Sequence, residues 1–484
     1  VWLEPLWNRM LGSLNSGRGQ DRRGSVKKTS LPRSSPRDQQ ISLSDIIAPL
    51  SFALDLTEGA CPGHAVRTCI LGMRIGKAIG LDDAALDDLY YALLLKDVGC
   101  SSNASRFCEI VGDDEIHAKR LLQTADWTRL EWCQMHYLLR HAHARRSYGK
   151  RLRGISSMVR NSTVNAEALA RLRCDKGATV VRNLGLGAAT AGAIYCLDEH
   201  WNGQGYPNRI AGEDIPLMAR IASIAQTFEV FYRLFGVAAA VDTMQRRSGR
   251  WFDPILVRVL IGLHRRGELL QGMKDDEFEQ TAALLAPQQK RVFVDAYTID
   301  NICTAFAGVV DAKSPYTYCH SNGVARIAQQ IGQCMNLDSR QLTVLRRAAL
   351  LHDIGKLSVP NSILDKPGKL DAMEWATIRT HTHYTYEILN RISGFGEIAT
   401  IAAQHHEKLD GSGYHLGLRG DQISLSSRIL TVADMFDALC GERPYRERLT
   451  LDQIYATLRK ETPHAIDPEC FEALLGVSQQ QVVA

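Results

Sequence analysis

One stretch of this chain occurs twice. PGHAVRTCILGMRIGKAIGL near residue 62 parallels YCHSNGVARIAQQIGQCMNL near residue 318, and DLYYALLLKDVGC parallels TVLRRAALLHDIGK. DEHWNGQGYPNRIAGEDIPLMARIASIAQTF likewise parallels HHEKLDGSGYHLGLRGDQISLSSRILTVADMF. The spacings agree. There are 32 positions from His64 to Lys96 and from His320 to His352, and 24 from Arg173 to Leu197 and from His381 to His405. Only one interval differs: Lys96 to Arg173 spans 77 positions against 29 from His352 to His381, so the first copy carries 48 more residues. A repeat of this kind constrains the fold strongly, because two copies of one pattern call for one topology used twice.

Within the copies, apolar side chains recur at helical spacing, as in Leu86-Leu89-Leu93-Leu94 and Ile429-Val432-Ala433-Phe436. Strand-like alternation and hairpin dipeptides are sparse. The expected fold is all-α, with two tandem helical domains at 41–270 and 286–484 joined near residues 265–290. Residues 1–40 contain the run SGRGQDRRGSVKKTSLPRSSPRDQQ, with too few apolar side chains to offset ordering entropy, and are expected to be a disordered basic tail. The extra residues of the first copy include RHAHARRSYGKRLRG, which reads as a solvated loop. A net charge of +4 over 484 residues does not argue for nucleic-acid binding. No stretch approaches 18 uninterrupted apolar residues, so no membrane span is expected. Twelve scattered cysteines form no CxxC pair, which reads as reduced thiols in a cytoplasm. Cys319 is expected to be a buried small hydrophobe.

The second copy carries His352-Asp353-Ile354-Gly355-Lys356, then His381, His405-His406 and Asp434. Imidazole and carboxylate together suit iron, manganese or zinc better than magnesium or calcium. More than four such ligands exceeds one tetrahedral site. Two metal ions sharing Asp353 would use them all, and such a pair suits the cleavage of phosphate esters. Leu342, Leu345, Ala349 and Leu350 make an apolar helical stripe leading into His352, and Gly355 is expected to let the chain turn out of that helix.

The blocks HDIGKLSVPNSILDKPGKL, HTHYTYEIL, HHEKLDGSGYH and SRILTVADMFDALCGERPYRE occur in this order, and the region 295–475 resembles an HD-GYP domain of the HD superfamily, the bacterial cyclic-dinucleotide phosphodiesterases. The resemblance implies metal ligands at His320, His352, Asp353, His381, His405, His406 and Asp434, with Fe or Mn ahead of Zn. It implies two metals, because Tyr316 stands where some members place a further carboxylate. Lys356 and Asp353 are the catalytic candidates. Arg443, Arg446, Lys366, Gly413 and Tyr414 are the candidates for substrate binding, and Arg428 reads as structural. One departure is marked: the signature Gly-Tyr-Pro reads Gly413-Tyr414-His415 here, and histidine restores backbone freedom and an N–H that proline lacks.

Carrying the ligands onto the first copy puts Lys96 at the place of His352, Arg173 at His381, Leu197 at His405 and Gln226 at Asp434. Lys96 and Arg173 would repel divalent metals and pair with Asp97 or Asp198 instead. The first copy is therefore expected to be catalytically dead, and residues 286–484 to suffice for chemistry. The first copy nevertheless keeps Gly205-Tyr206-Pro207, a candidate contact for a GGDEF-type diguanylate cyclase. The resemblance implies a cyclic-dinucleotide phosphodiesterase, with cyclic di-GMP as the leading substrate and a linear 5′-phosphorylated dinucleotide as product. Cyclic GMP-AMP is the alternative substrate, a non-catalytic scaffold the alternative class, and a homodimer is open.

Overall fold

The computed structural model describes residues 41–484 except 113, 127–147, 288–293, 443, 445, 447 and 484. The tail 1–40, Arg443 and the larger part of the basic RHAHARRSYGKRLRG run lie outside the described residues. The last residues of that run are helical, within Tyr148–Arg160, and not a loop. Among the described residues there is no β-strand, as the helical spacing predicts. No helix among the described residues is long and apolar enough to cross a membrane.

The first lobe contains α1 (Leu43–Thr57), α2 (His64–Ala78), α3 (Asp83–Leu95), α4 (Glu115–Leu122), α5 (Ser162–Asn183), α6 (Ala188–Tyr195) and α7 (Leu217–Phe235). The second contains α8 (Ala296–Asp311), α9 (His320–Cys334), α10 (Ser339–Leu351), α11 (Asn361–Leu364), α12 (Ala372–Leu389), α13 (Gly396–Ala403) and α14 (Leu425–Cys440). The repeat is legible helix by helix: α2 and α9 begin on His64 and His320, α7 and α14 on Leu217 and Leu425. The same start signals recur. Asp82 and Asp338 each accept from the backbone N–H three residues on, at 2.8 Å, satisfying a donor that the first helical turn leaves free. Each of these helices then buries its C-terminal apolar stretch, Leu89–Leu95 and Ala348–Leu351, and delivers the next residue, Lys96 or His352, into the lobe interior.

Residues Ile41–Ala484 form one compact unit, and one continuous core cluster contains side chains of both copies, from Leu43 to Leu474. The first helix of each copy bridges the two lobes: α1 packs on α2 and α3 of its own copy and also on α12 and the 3-10 turn Ile354–Ser358, while α8 packs on α9 and α10 of its own copy and also on α5. The first lobe also continues past residue 270, because the helix Phe278–Leu285 packs on α2, with the Phe278 ring beneath the Arg67 guanidinium at 5.1 Å. Cys319 is a correction to the sequence reading. It caps α9 in a left-handed conformation, φ 60°, and is exposed.

Candidate metal centre

The ligand candidates reach one small volume, some from helix ends and some from within helices. His352 and Asp353 close α10, His381 lies within α12, His405 and His406 follow α13, His320 opens α9 and Asp434 lies within α14. All seven come together. His320, His352, Asp353, His381, His405 and Asp434 are buried, and only the His406 side chain, at 27% exposure, reaches toward the opening.

Asp353 stands in the middle. Its Oδ2 lies 3.3 Å from His352 Nε2 and 3.8 Å from His320 Nε2, while its Oδ1 lies 3.6 Å from both His381 Nε2 and His405 Nε2. Asp434 Oδ1 adds itself to the first half, 3.1 Å from His320 Nε2 and 3.6 Å from His352 Nε2. His406 belongs to the second, within ligating reach of His381 and His405.

The ring orientations follow from hydrogen bonds on the far nitrogen. Nδ1–H of His352, His381 and His405 donates to the carbonyl three residues earlier, Ala349 at 2.7 Å, Ile378 at 2.7 Å and Ala402 at 2.6 Å. Nδ1–H of His320 donates to Asp437 Oδ2 at 2.7 Å. In every case the Nε2 lone pair is left facing the centre, the arrangement that outer partners impose on metal-bound imidazoles. His320 Nε2, His352 Nε2 and Asp353 Oδ1 are buried and make no hydrogen bond. With the proton on Nδ1, the short separation of His320 Nε2 from Asp434 Oδ1 is two acceptors facing each other, an arrangement that a bound cation relieves. The residues present fit a divalent metal group.

Electrostatics point the same way. Burial opposes charge on Asp353, but His352 and Lys356 outweigh it and hold the carboxyl well below the usual range; Asp434 is held down against burial by His320 and His352. Burial pushes His381 down to about 3 and His406 down to about 4, so both are neutral donors near pH 7. Burial also disfavours charge on His352, yet Asp353 and Asp434 push it up to about 10. Without metal, a proton takes the place of a cation between these carboxylates, which links metal binding to proton release.

Gly355 has a more specific role than ending a helix. A Cβ there would lie 1.9 Å from the His381 carbonyl oxygen, so only glycine lets the turn after Asp353 lie against α12. Thr385 locks the crossing, accepting from Gly355 N–H at 3.1 Å and donating to the His352 carbonyl at 2.9 Å. Lys356 Nζ sits 2.5 Å from Asp353 Oδ2 with its side chain 20% exposed, a cation between the buried carboxylate and the opening.

The candidates for substrate binding are placed differently from one another. Lys366 pairs with Glu374 at 2.5 Å, and Arg446 donates to the Ala438, Leu439 and Gly441 carbonyls at the end of α14. Gly413 is pressed on the His406–Lys408 backbone, where a Cβ would lie 2.4 Å from Lys408 N. Tyr414 lays its ring against His406, centroids 4.8 Å apart. His415 is in none of the ligand groups, and its ring neighbours His383 at 6.1 Å. The Tyr414–His415 peptide is cis, as is Tyr206–Pro207. Arg428 is structural as read, bound to Asp467 at 3.0 Å and to the Ile423 and Gly420 carbonyls. Two residues escaped the sequence reading. Asp437 orients His320, and Arg379 places an exposed guanidinium over the Tyr414 ring at 5.3 Å. Spacing alone offered one signal, since Asp437 follows Asp434 by a helical turn.

The first lobe has the same frame with different contents. Gly99 approaches the Arg173 carbonyl as Gly355 approaches that of His381. His64 Nδ1 meets Glu229, the counterpart of Asp437, and Arg67 joins it at 2.6 Å. Lys96 pairs with Asp97 and Arg173 with Asp198, as the charges predict. Glu58, Asp97 and Cys100 lie close enough to hold an ion, but Lys119 pairs with Glu58 at 2.8 Å and burial pushes the Cys100 thiol well above its usual range. Cations of the chain itself occupy the place of metals.

The HD domain family matches residues 157–256 and 305–470. The chain is 44% identical over 432 residues to 3′3′-cGAMP-specific phosphodiesterase 3 of Vibrio cholerae, covering 89% of this chain and 94% of that protein. It is 41% identical over 173 residues to the cyclic di-GMP phosphodiesterase response regulator RpfG of Xanthomonas campestris, covering 35% of this chain and 45% of that one. The crystal structure of the V. cholerae cyclic GMP-AMP specific phosphodiesterase V-cGAP3 matches with a TM-score of 0.64 at 39% identity, over 91% of this chain and 98% of that one.

Proposed function

This chain belongs to the HD domain family, among the HD-GYP cyclic-dinucleotide phosphodiesterases, and on that premise we propose that it hydrolyses 3′3′-cyclic GMP-AMP in preference to cyclic di-GMP. The order of the two substrates reverses the sequence expectation, because the relatives that match along the length of the chain carry the cyclic GMP-AMP name. The observation that carries the catalytic reading is the position of Asp353, one oxygen toward His320 and His352 and the other toward His381 and His405. That arrangement suits two metal ions, with iron or manganese favoured by the mixed imidazole–carboxylate set. When bound, such ions supply the acidity that activates water and the charge that stabilises a phosphoryl group.

The chain's own residues do the rest. The four Nδ1–H bonds hold the imidazoles in one tautomer and orientation. Lys356, held by Asp353 at the opening, meets the scissile phosphate and supports the leaving oxygen by charge or by a proton. Arg379, exposed over the Tyr414 ring, offers a cation for phosphate beside the opening. In the first lobe Gly205 and Pro207 are buried, so a diguanylate cyclase would meet only the flanks of that loop.

The test is turnover by the purified chain with its metal content measured, using 3′3′-cyclic GMP-AMP, cyclic di-GMP and a mononucleotide panel. The expected result is about two metals per chain, a linear 5′-phosphorylated product and the higher kcat/KM on cyclic GMP-AMP. Tight binding of a cyclic dinucleotide by metal-loaded chain without turnover would establish the scaffold instead. Hydrolysis confined to mononucleotides would establish a nucleotidase.

A further inference from the structure

Glu115 is a carboxylate of the first lobe whose partners lie in the second. It opens α4, within the extra residues between Lys96 and Arg173, and its exposure is 0%. Its Oε1 lies 3.3 Å from Lys313 Nζ, which is also buried, and the carboxylate accepts from Asn361 N–H at 3.0 and 2.9 Å. The frame then closes on itself. The Asn361 side-chain amide donates to the Lys313 carbonyl and to Asp365 Oδ2, each at 2.7 Å, and Asp365 accepts from Ser314 at 2.5 Å. Lys356 lies five positions before Asn361, and Lys366 follows Asp365. The 3-10 turn that carries Lys356 rests on α1, which is likewise first-lobe chain.

A buried carboxylate and a buried ammonium are each costly to desolvate, and neither tolerates loss of the other. Such a pair, 198 positions apart, is not repeated in the other lobe, where Thr57 stands at the place of Lys313, and so is specific to one face of the contact. We propose that Glu115 is a positioning residue for the active centre of the second lobe: through it the first lobe sets the segment 354–366 that carries Lys356. The catalytic part of this inference rests on the function proposed above. It reverses the expectation that residues 286–484 suffice for chemistry, since that fragment lacks both Glu115 and α1. The degenerate lobe thereby has a role that needs no metal of its own.

The test uses the full chain with Glu115→Ala, Glu115→Gln and the double variant Glu115→Ala/Lys313→Met. Amide hydrogen exchange, metal content, thermal unfolding, kcat and KM are measured for each. In Glu115→Ala, exchange over 354–366 accelerates about ten- to a hundred-fold, the loss of one hydrogen bond to a charged group. Metal content and KM hold, while kcat on 3′3′-cyclic GMP-AMP falls about ten- to a hundred-fold through misplacement of Lys356. Glu115→Gln keeps an acceptor for Asn361 N–H and retains more of both. Lys313→Met removes the stranded ammonium, so the double variant recovers thermal stability but not kcat. Parent-like exchange over 354–366 in Glu115→Ala overturns the proposal, as does faster exchange spread evenly through the chain. Recovery of kcat together with stability in the double variant also overturns it. A parent chain inert toward both cyclic dinucleotides refutes the function instead, and the exchange measurement still decides the positioning.

Discussion

Asp437 offers the sharpest test of how the metal centre is built. It is not a ligand candidate, yet its Oδ2 takes the Nδ1–H of His320 at 2.7 Å, and a Cβ on Gly323 would collide with its Oδ1 at 2.1 Å. The His320 side chain is 4% exposed and that of Asp437 22%, so solvent does not readily replace the carboxylate. Without Asp437 the imidazole loses its reason to keep the proton on Nδ1. Moving it to Nε2 would satisfy Asp434 Oδ1, 3.1 Å away, and remove His320 as a ligand. Outer partners of this type are typically worth about 10–100-fold in metal affinity, which is about 1.4–2.8 kcal/mol. Asp437→Asn keeps an oxygen acceptor and should fall at the lower end of that range; Asp437→Ala should fall at the upper end. The assay is chelator competition followed by elemental analysis, with kcat measured again under excess metal. Weaker metal retention and recovery of much of kcat at high metal are expected. Parent-like retention in Asp437→Ala would refute the argument that His320 is oriented from outside.

Arg379→Gln should lower kcat/KM on a cyclic dinucleotide by about ten-fold, the scale of a lost charged hydrogen bond, and flatten its dependence on salt; an unchanged kcat/KM removes Arg379 from the substrate path. A pH effect should arise in the first lobe. His200 is buried and stacked on Trp251 at 4.2 Å, and burial pushes its pKa down to about 3. The folded chain thus binds fewer protons than the unfolded one between about pH 3 and 6.5, so this residue makes stability fall as pH drops through that window, by up to about 1.4 kcal/mol per pH unit. Urea unfolding of parent and His200→Gln across pH 4 to 7 checks it, and parallel slopes would rule the residue out.

The repeat and the helical class were legible from the residues, and so were the seven side chains that the fold gathers around Asp353, because each depends on local chemistry. A helix that must bury one face writes that face at a fixed period, and a metal selects imidazole and carboxylate side chains. The failed centre of the first lobe was legible for the same reason, since Lys96 and Arg173 carry charge of the wrong sign and the acids left for them to pair with are adjacent in pattern. The sequence reading did not identify Asp437 as the outer partner of His320, the engagement of Lys366 by Glu374, or the use of Arg446 to close a helix end. Those are side-chain pairings made among several nearby partners of equal chemical merit, and geometry selects one. The bridging of the two copies by α1 and α8 and the reach of Glu115 to Asn361, 246 positions away, lay furthest from view. An apolar stripe records that it must be buried but not against which neighbour, and a lone glutamate in an insertion looks solvated. Only closure of the common core brings it to Lys313 and the Asn361 amide, where exclusion of water makes each group depend on the other.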